Sequence, residues 1–284
     1  MPRCVFVTDL HGSAHRYERL FSALAADPPE VVLLGGDLLP HAAAVSSPHS
    51  RSWVEEVLAT GFAALRERLH EDYPRVLLIL GNDDGKAPLP EIEAQEEKGL
   101  WTHLHGRRVE IGGVPFYGYA YVPPTPFALK DWERYDVSRY TPVGCTSPEE
   151  GRHLSEEEAR RARHSTIAED LERLAGDDEL RDAVFLFHGP PHETKLDRAA
   201  LDGRMVDHVP LDLHVGSIAV RRFLEKRQPR LSLHGHIHES VRLTGDWRDR
   251  LGRTLCLGGA HDGPQLALIR FDTERVDEAV RELL

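Results

Sequence analysis

The chain has 284 residues, 40% of them hydrophobic and 29% charged, and carries a net charge of −12 at pH 7. That length buries a substantial core and the composition is that of a globular protein, so a disordered chain is excluded. The negative balance excludes a general electrostatic grip on nucleic acid or anionic lipid, although a metal ion can supply positive charge locally to a phosphorylated ligand.

The chain opens MPRCVFVTDL, where one arginine and a short apolar run lead into charged residues; this predicts a first strand rather than a signal peptide. A helical pattern follows over about 13–26 and stops before DPPE. VVLLGGD (31–37) predicts a second strand, with a long helix over about 52–70 after it. RVLLILGNDD (75–84) and AVFLFHGPP (183–191) repeat the scheme of an apolar run, a glycine and then polar residues. Short Val/Leu/Ile/Phe runs alternating with amphipathic helices predict strands buried on both faces within α/β layers. Such sheets bind ligands at the carboxyl edge of their strands, which makes Asp9, His11, Asp37, Asn82, Asp83 and His188 candidates for one cleft.

Two segments break the pattern, near 120–154 and 192–214. Both are too long for simple connectors and predict either a cap over the active site or surface excursions. In WERYDVSRY (132–140), Arg134, Tyr135, Arg139 and Tyr140 either contact a substrate phosphate or base, or form a surface turn. Ser155 and Glu158 match a capping box at the start of a helix, and another helix is expected near 216–227. LSLHGHIHES (231–240) then places His234, His236 and His238 at alternate positions, which share a face in an extended chain. The last stretch predicts two more strands and a terminal helix. Cys4, Cys145 and Cys256 have no C-x-x-C spacing and no run reaches membrane-spanning length, so a reducing, cytoplasmic setting is expected.

Singly, each polar motif has a plain structural alternative; GNDDG, for one, is what a tight turn favours. Their order decides more. D-x-H (Asp9, His11), G-D (Asp37), G-N-D (Asn82, Asp83), H-x-x-P (from His188) and G-H-x-H (His236, His238) each end a strand-like run. This succession resembles the calcineurin-like metallophosphoesterase superfamily over residues 9–238. The resemblance implies a four-layer α-β-β-α sandwich of two mixed sheets, a single domain over 1–284. It also implies two divalent metal ions: Mn, Fe, Zn, Co or Ni. One would be held by Asp9, His11, Asp37 and His238, and the other by Asp37, Asn82, His188 and His236, with Asp37 bridging. His234 lies outside the matched block and reads as a buried neighbour. Carboxylate, imidazole and amide donors without thiolate suit such borderline metals.

The family often carries a histidine where this chain has Asp83. An aspartate, with a reference pKa of about 3.9, is a doubtful general acid beside two cations. His192 and His261 are therefore named with Asp83 as catalytic candidates. The expected function is a dinuclear metal-dependent phosphoesterase that hydrolyses a phosphodiester by attack of a metal-bridging hydroxide. A nucleotide pyrophosphatase, a phosphomonoesterase and a non-catalytic protein-binding scaffold are the alternatives. The expected partner is a phosphorylated small molecule or nucleotide, without an extended nucleic-acid surface or a membrane.

Overall fold

The computed structural model describes residues 2–41 and 53–284. Its strands begin with β1 (Arg3–Val7), β2 (Val31–Gly35), β3 (Arg75–Ile79) and β4 (Thr102–His103), which run parallel in a first sheet. β5 (Arg108–Ile111), β6 (Val114–Tyr119) and β7 (Val184–Phe187) start a second sheet, and β8 (Met205–Val206) and β9 (Val209–Pro210) form a separate hairpin. β10 (Leu231–His234), β11 (Arg248–Leu251) and β12 (Thr254–Gly258) complete the second sheet in the order β11-β12-β10-β7-β6-β5. β13 (Ala267–Asp272) and β14 (Val280–Leu283) return to the first, giving β14-β13-β1-β2-β3-β4. Antiparallel pairing of β13 with β1, β11 with β12 and β5 with β6 makes both sheets mixed.

The apolar runs form central strands because both of their faces are covered. All of β2 is buried, as are the last four residues of β1 and of β3. β2 faces β7 and β3 faces β6 across the interior. Helices Ala14–Ala26 and Thr60–Leu69 pack together on the first sheet, with Phe21 edge-on to Phe62 at 5.2 Å. Helices Ile167–Ala175 and Ile218–Arg227 pair on the second, where Phe223 meets Phe185 at 5.2 Å. The result is the α-β-β-α sandwich of two mixed sheets.

Local differences from the sequence reading have identifiable causes. The C-terminus is not a helix: a single 3₁₀ turn, Val276–Glu278, precedes β14, which pairs with β13 from Ala267↔Leu283 to Arg270↔Val280. The terminal segment is too short to sustain an isolated helix, and pairing with an open sheet edge satisfies more backbone groups. Of the helix expected over 52–70, Ser52 lies outside the described residues. Within it Val54–Ala59 is π-bonded and Thr60–Leu69 is α-bonded, and His70 opens a 3₁₀ turn, His70–Asp72. Ser155 caps its helix by accepting from the Glu158 N–H (3.2 Å), but the Glu158 carboxylate turns to Lys86 rather than back to the cap.

Both insertions are tied into the molecule. The first packs under the loop after β3: the Lys86 N–H donates to Asp131 (2.8 Å) and the Trp132 indole to the Gly85 carbonyl (3.0 Å). Inside it, Lys130 and Glu133 form an ion pair whose side chains are both 0% exposed, so removing either leaves an uncompensated buried charge. Arg134 pairs with Asp170 and Arg139 with Glu149, while the Tyr135 hydroxyl bonds Ser147 and Glu149. The second insertion joins the segment after β10, where Glu239 accepts from the Ala200 N–H (3.0 Å). Among the described residues no helix is long and apolar enough to cross a membrane, and the three cysteines are free.

Burial holds several histidines neutral. It pushes His105 well below its usual range, His103 to about 4 and His234 to about 3. His105 Nδ1 accepts from the Ala120 N–H (3.0 Å), a bond that protonation of that nitrogen abolishes. A histidine whose folded value is depressed leaves the unfolded chain binding more protons below about pH 6.5, so stability falls as pH drops through that value. Each such group costs about 1.4 kcal/mol per pH unit in that range. Urea unfolding of the metal-free protein should therefore show a loss from pH 7 to pH 5 that is smaller in His105→Gln, whose amide oxygen still accepts from Ala120. An identical pH slope in the two proteins would contradict the assignment.

Candidate metal centre

Five strand ends converge at one edge of the sandwich. The loops after β1 and β2 run together: the Asp9, His11 and Gly12 N–H groups donate to the carbonyls of Gly36 (2.9 Å), Asp37 (2.8 Å) and Leu38 (3.0 Å). The second sheet is joined to them by His188, whose Nδ1–H donates to the Gly35 carbonyl (2.8 Å). A carbonyl only accepts, so Nε2 is the nitrogen left toward the site. The Gly235 N–H donates to the His188 carbonyl (2.8 Å), and the His236 N–H to Asp9 Oδ1 (3.0 Å). Only His234 of the three alternating histidines lies on β10; it is fully buried, donating from Nδ1 to the Gly189 carbonyl. His236 turns away from the strand with φ 72°.

The close approach has local costs. Asp9 (φ 56°), His11 (φ 47°), Asp37 (φ 51°) and His236 all sit in the left-handed region, at roughly 1–3 kcal/mol each for residues other than glycine. Two glycines are there because nothing larger fits. A Cβ on Gly81 would lie 2.2 Å from Asp37 Oδ1, and one on Gly235 would lie 2.6 Å from Asp9 Oδ2.

All seven residues of the expected ligand set are brought together. Donor atoms of Asp9, His11, Asp37 and His238 lie within 4.8 Å of one another, and so do those of Asp37, His188 and His236. Asn82 joins the second group, its Oδ1 3.0 Å from His188 Nε2. Asp37 is common to both groups. His11 and His238 point their Nε2 atoms at each other, 3.0 Å apart, and His238 Nε2 lies 3.3 Å from Asp9 Oδ1.

The donor set fits cations. Asp9 and Asp37 are 1% and 3% exposed, yet among the described residues no lysine or arginine side chain pairs with either carboxylate. Burial alone would push Asp37 up, but His188 and His11 pull it well below the usual carboxylate range; His188 in turn resists the downward push of burial and rises to about 9 beside Asp37. Among the described residues the two buried carboxylates are met by imidazoles and backbone N–H groups, with Arg16 held at the Asp9 carbonyl rather than at its carboxylate, and a pair of divalent ions would supply positive charge at the carboxylates themselves.

One residue that the sequence reading did not single out holds this geometry. Asp84, 0% exposed, accepts from the Leu39 N–H on Oδ1 (2.8 Å) and from the Leu38 and Gly81 N–H groups on Oδ2 (3.2 and 2.8 Å). It thereby joins the loop carrying Asp37 to the loop carrying Asn82. Burial, with Asp37 nearby, pushes its carboxyl up to about 7. The only sequence signal was the doubled aspartate of GNDDG.

A family model for calcineurin-like phosphoesterases matches residues 2–240. The chain belongs to the calcineurin-like phosphoesterase family. This makes the protein a metal-dependent phosphoester hydrolase. Among solved structures, a protein from Thermus thermophilus superposes with a TM-score of 0.54 at 14% identity, over 99% of this chain and 98% of its own. A dimetal phosphatase from Danio rerio gives 0.51 at 13% identity, over 99% and 95%. At these identities the likeness is one of fold. No curated protein sequence matches the chain.

The three catalytic candidates of this phosphoesterase fall in different places. Asp83 is at the site: its N–H donates to Asp37 Oδ1 (2.9 Å), and its Oδ2 accepts from His41 Nδ1 at 2.5 Å. His261 lines the cleft above the centre, with Nε2 3.3 Å from Gln265 Oε1. His192 belongs to none of the clusters and is not among the cleft-lining residues; its Nε2 faces Asp212 at 3.5 Å. No residue of either insertion lines that cleft.

Removing the Asp84 carboxylate should loosen both loops at once. Asp84→Ala is expected to bind divalent metal about 10- to 100-fold more weakly, the range for residues that orient ligands without touching the ion. Titration with Mn²⁺ measures this. Unchanged affinity in a folded variant would remove Asp84 from the account.

Proposed function

We propose that this phosphoesterase hydrolyses a phosphodiester at a dinuclear centre, and the observation that carries the reading is the sharing of Asp37 between two donor clusters. Asp9, His11, Asp37 and His238 would hold one divalent ion, and Asp37, Asn82, His188 and His236 the other. When bound, the pair supplies positive charge for the phosphoryl oxygens and acidifies water. The chain's own part is to keep the ligands in place before substrate arrives. The bond from His188 Nδ1 to the Gly35 carbonyl fixes which nitrogen faces the centre, and the His236 N–H steadies the Asp9 carboxylate. Asp83, an anion beside the centre, suits it to leaving groups that need little protonation, which favours activated and diester substrates. The open cleft beside the first cluster admits a small phosphorylated molecule, and the insertions brace the loops from outside.

Turnover of bis(p-nitrophenyl) phosphate with added Mn²⁺ tests this, with p-nitrophenyl phosphate as the monoester comparison. Activity should vanish with EDTA and return with metal. Asp37→Ala should lower kcat/KM on the order of 10²-fold or more, because both clusters lose a donor. Stoichiometric metal without turnover of any phosphoester would instead favour a binding scaffold, and preference for the monoester would overturn the diester assignment.

A further inference from the structure

A cleft of about 510 Å³ opens beside the first cluster, lined by His11, His41 and His238 with Arg16, His15 and His261. Its arginine is already committed. Arg16 Nη1 donates to the Asp9 carbonyl (2.5 Å) and Nη2 to that of Gly263 (2.6 Å), so the guanidinium joins loops and leaves little for a ligand. His261 faces Gln265, and among the described residues no hydrogen bond fixes the ring of His15.

His41 differs from both. Its ring stacks on that of His11, with centroids 4.7 Å apart and planes at 24°. Its Nδ1–H donates to Asp83 Oδ2 at 2.5 Å, and among the described residues Nε2 has no partner. The side chain is 67% exposed, toward the cleft it lines. Asp83 is itself anchored to the centre, since its N–H donates to Asp37 Oδ1 (2.9 Å) and its Oδ2 lies 3.5 Å from His11 Nδ1. One ring nitrogen is thus fixed by a carboxylate, and the other is open next to the place where the clusters would gather positive charge. That open imidazole nitrogen lines the cleft through which a phosphoryl group must pass to reach the clusters.

We propose that His41 is a catalytic residue that contacts the substrate's phosphoryl group from the cleft, and that Asp83 is the positioning residue that aims it. This rests on the phosphoesterase reading of the centre. The two side chains come from different strand ends, 42 positions apart in sequence. They form a unit only because the loops after β2 and β3 are joined below them by Asp84.

The test uses the full chain loaded with Mn²⁺, as wild type, His41→Ala, Asp83→Ala and the double variant. Bound metal, the affinity for inorganic phosphate, and kcat and KM on bis(p-nitrophenyl) phosphate are measured for each. His41→Ala should keep the wild-type metal content while phosphate affinity and kcat/KM fall about 10- to 100-fold, the loss of one charge-assisted hydrogen bond. Asp83→Ala should fall in the same direction, and the double variant should be no worse than His41→Ala. Wild-type phosphate affinity in His41→Ala would overturn the contact. So would loss of a bound ion from that variant, since His41 with His11 and Asp83 would then be holding metal. Additive losses in the double variant would overturn the positioning role of Asp83. If the wild-type protein turns over no phosphoester, the hydrolytic reading falls by itself, and phosphate affinity still decides for or against His41.

Discussion

Asp37 is a carboxylate placed where a carboxylate is costly: 3% exposed, with imidazoles on either side and no lysine or arginine side chain beside it among the described residues. Much of the carboxyl edge follows from keeping it there. The loop after β1 donates to its carbonyl, Asp83 donates to its side chain, and Gly81 makes room for its oxygen. An isolated buried anion would be penalised by several kcal/mol and would take up a proton. Here neighbouring imidazoles hold it ionised, and the same imidazoles are the groups a divalent cation would use.

Fold and site are therefore parts of one construction. Parallel strands in both sheets deliver their loops to a common edge, and the two sheets are cross-connected there by His188 and by the His236 backbone. Left-handed backbone at four of the seven ligand candidates is tolerated because the sandwich over-determines each loop, through paired backbone groups and through Asp84. The central strands carry no such penalty. Left-handed backbone also occurs at His70, Glu193, Asp207, His208 and Gln228, away from the centre, but at this edge it falls on the ligand candidates themselves, where geometry serves chemistry.

The sequence made the strands and the ligand candidates legible for a simple reason. Each candidate stands one to five residues past an apolar run, and open α/β sheets collect such positions in one place. What stayed hidden depends on tertiary contact. The C-terminal VDEAVREL has helical character in isolation but closes a sheet edge as β14. The alternation of His234, His236 and His238 suggested one strand face, yet the strand ends at His234 and the other two project from a turn. Asp84 reads as a turn residue until its three N–H donors are known. The pairing of His41 with Asp83 has no periodic trace, and the engagement of Arg134, Tyr135 and Arg139 with acidic and hydroxyl partners could not be read from WERYDVSRY.

Anomalous diffraction from crystals grown with Mn²⁺ most directly tests the claim that Asp37 is shared by two cations. Two anomalous peaks, one among Asp9, His11 and His238 and one among Asn82, His188 and His236, with Asp37 touching both, is the predicted result. A single peak, or peaks remote from Asp37, would contradict the account.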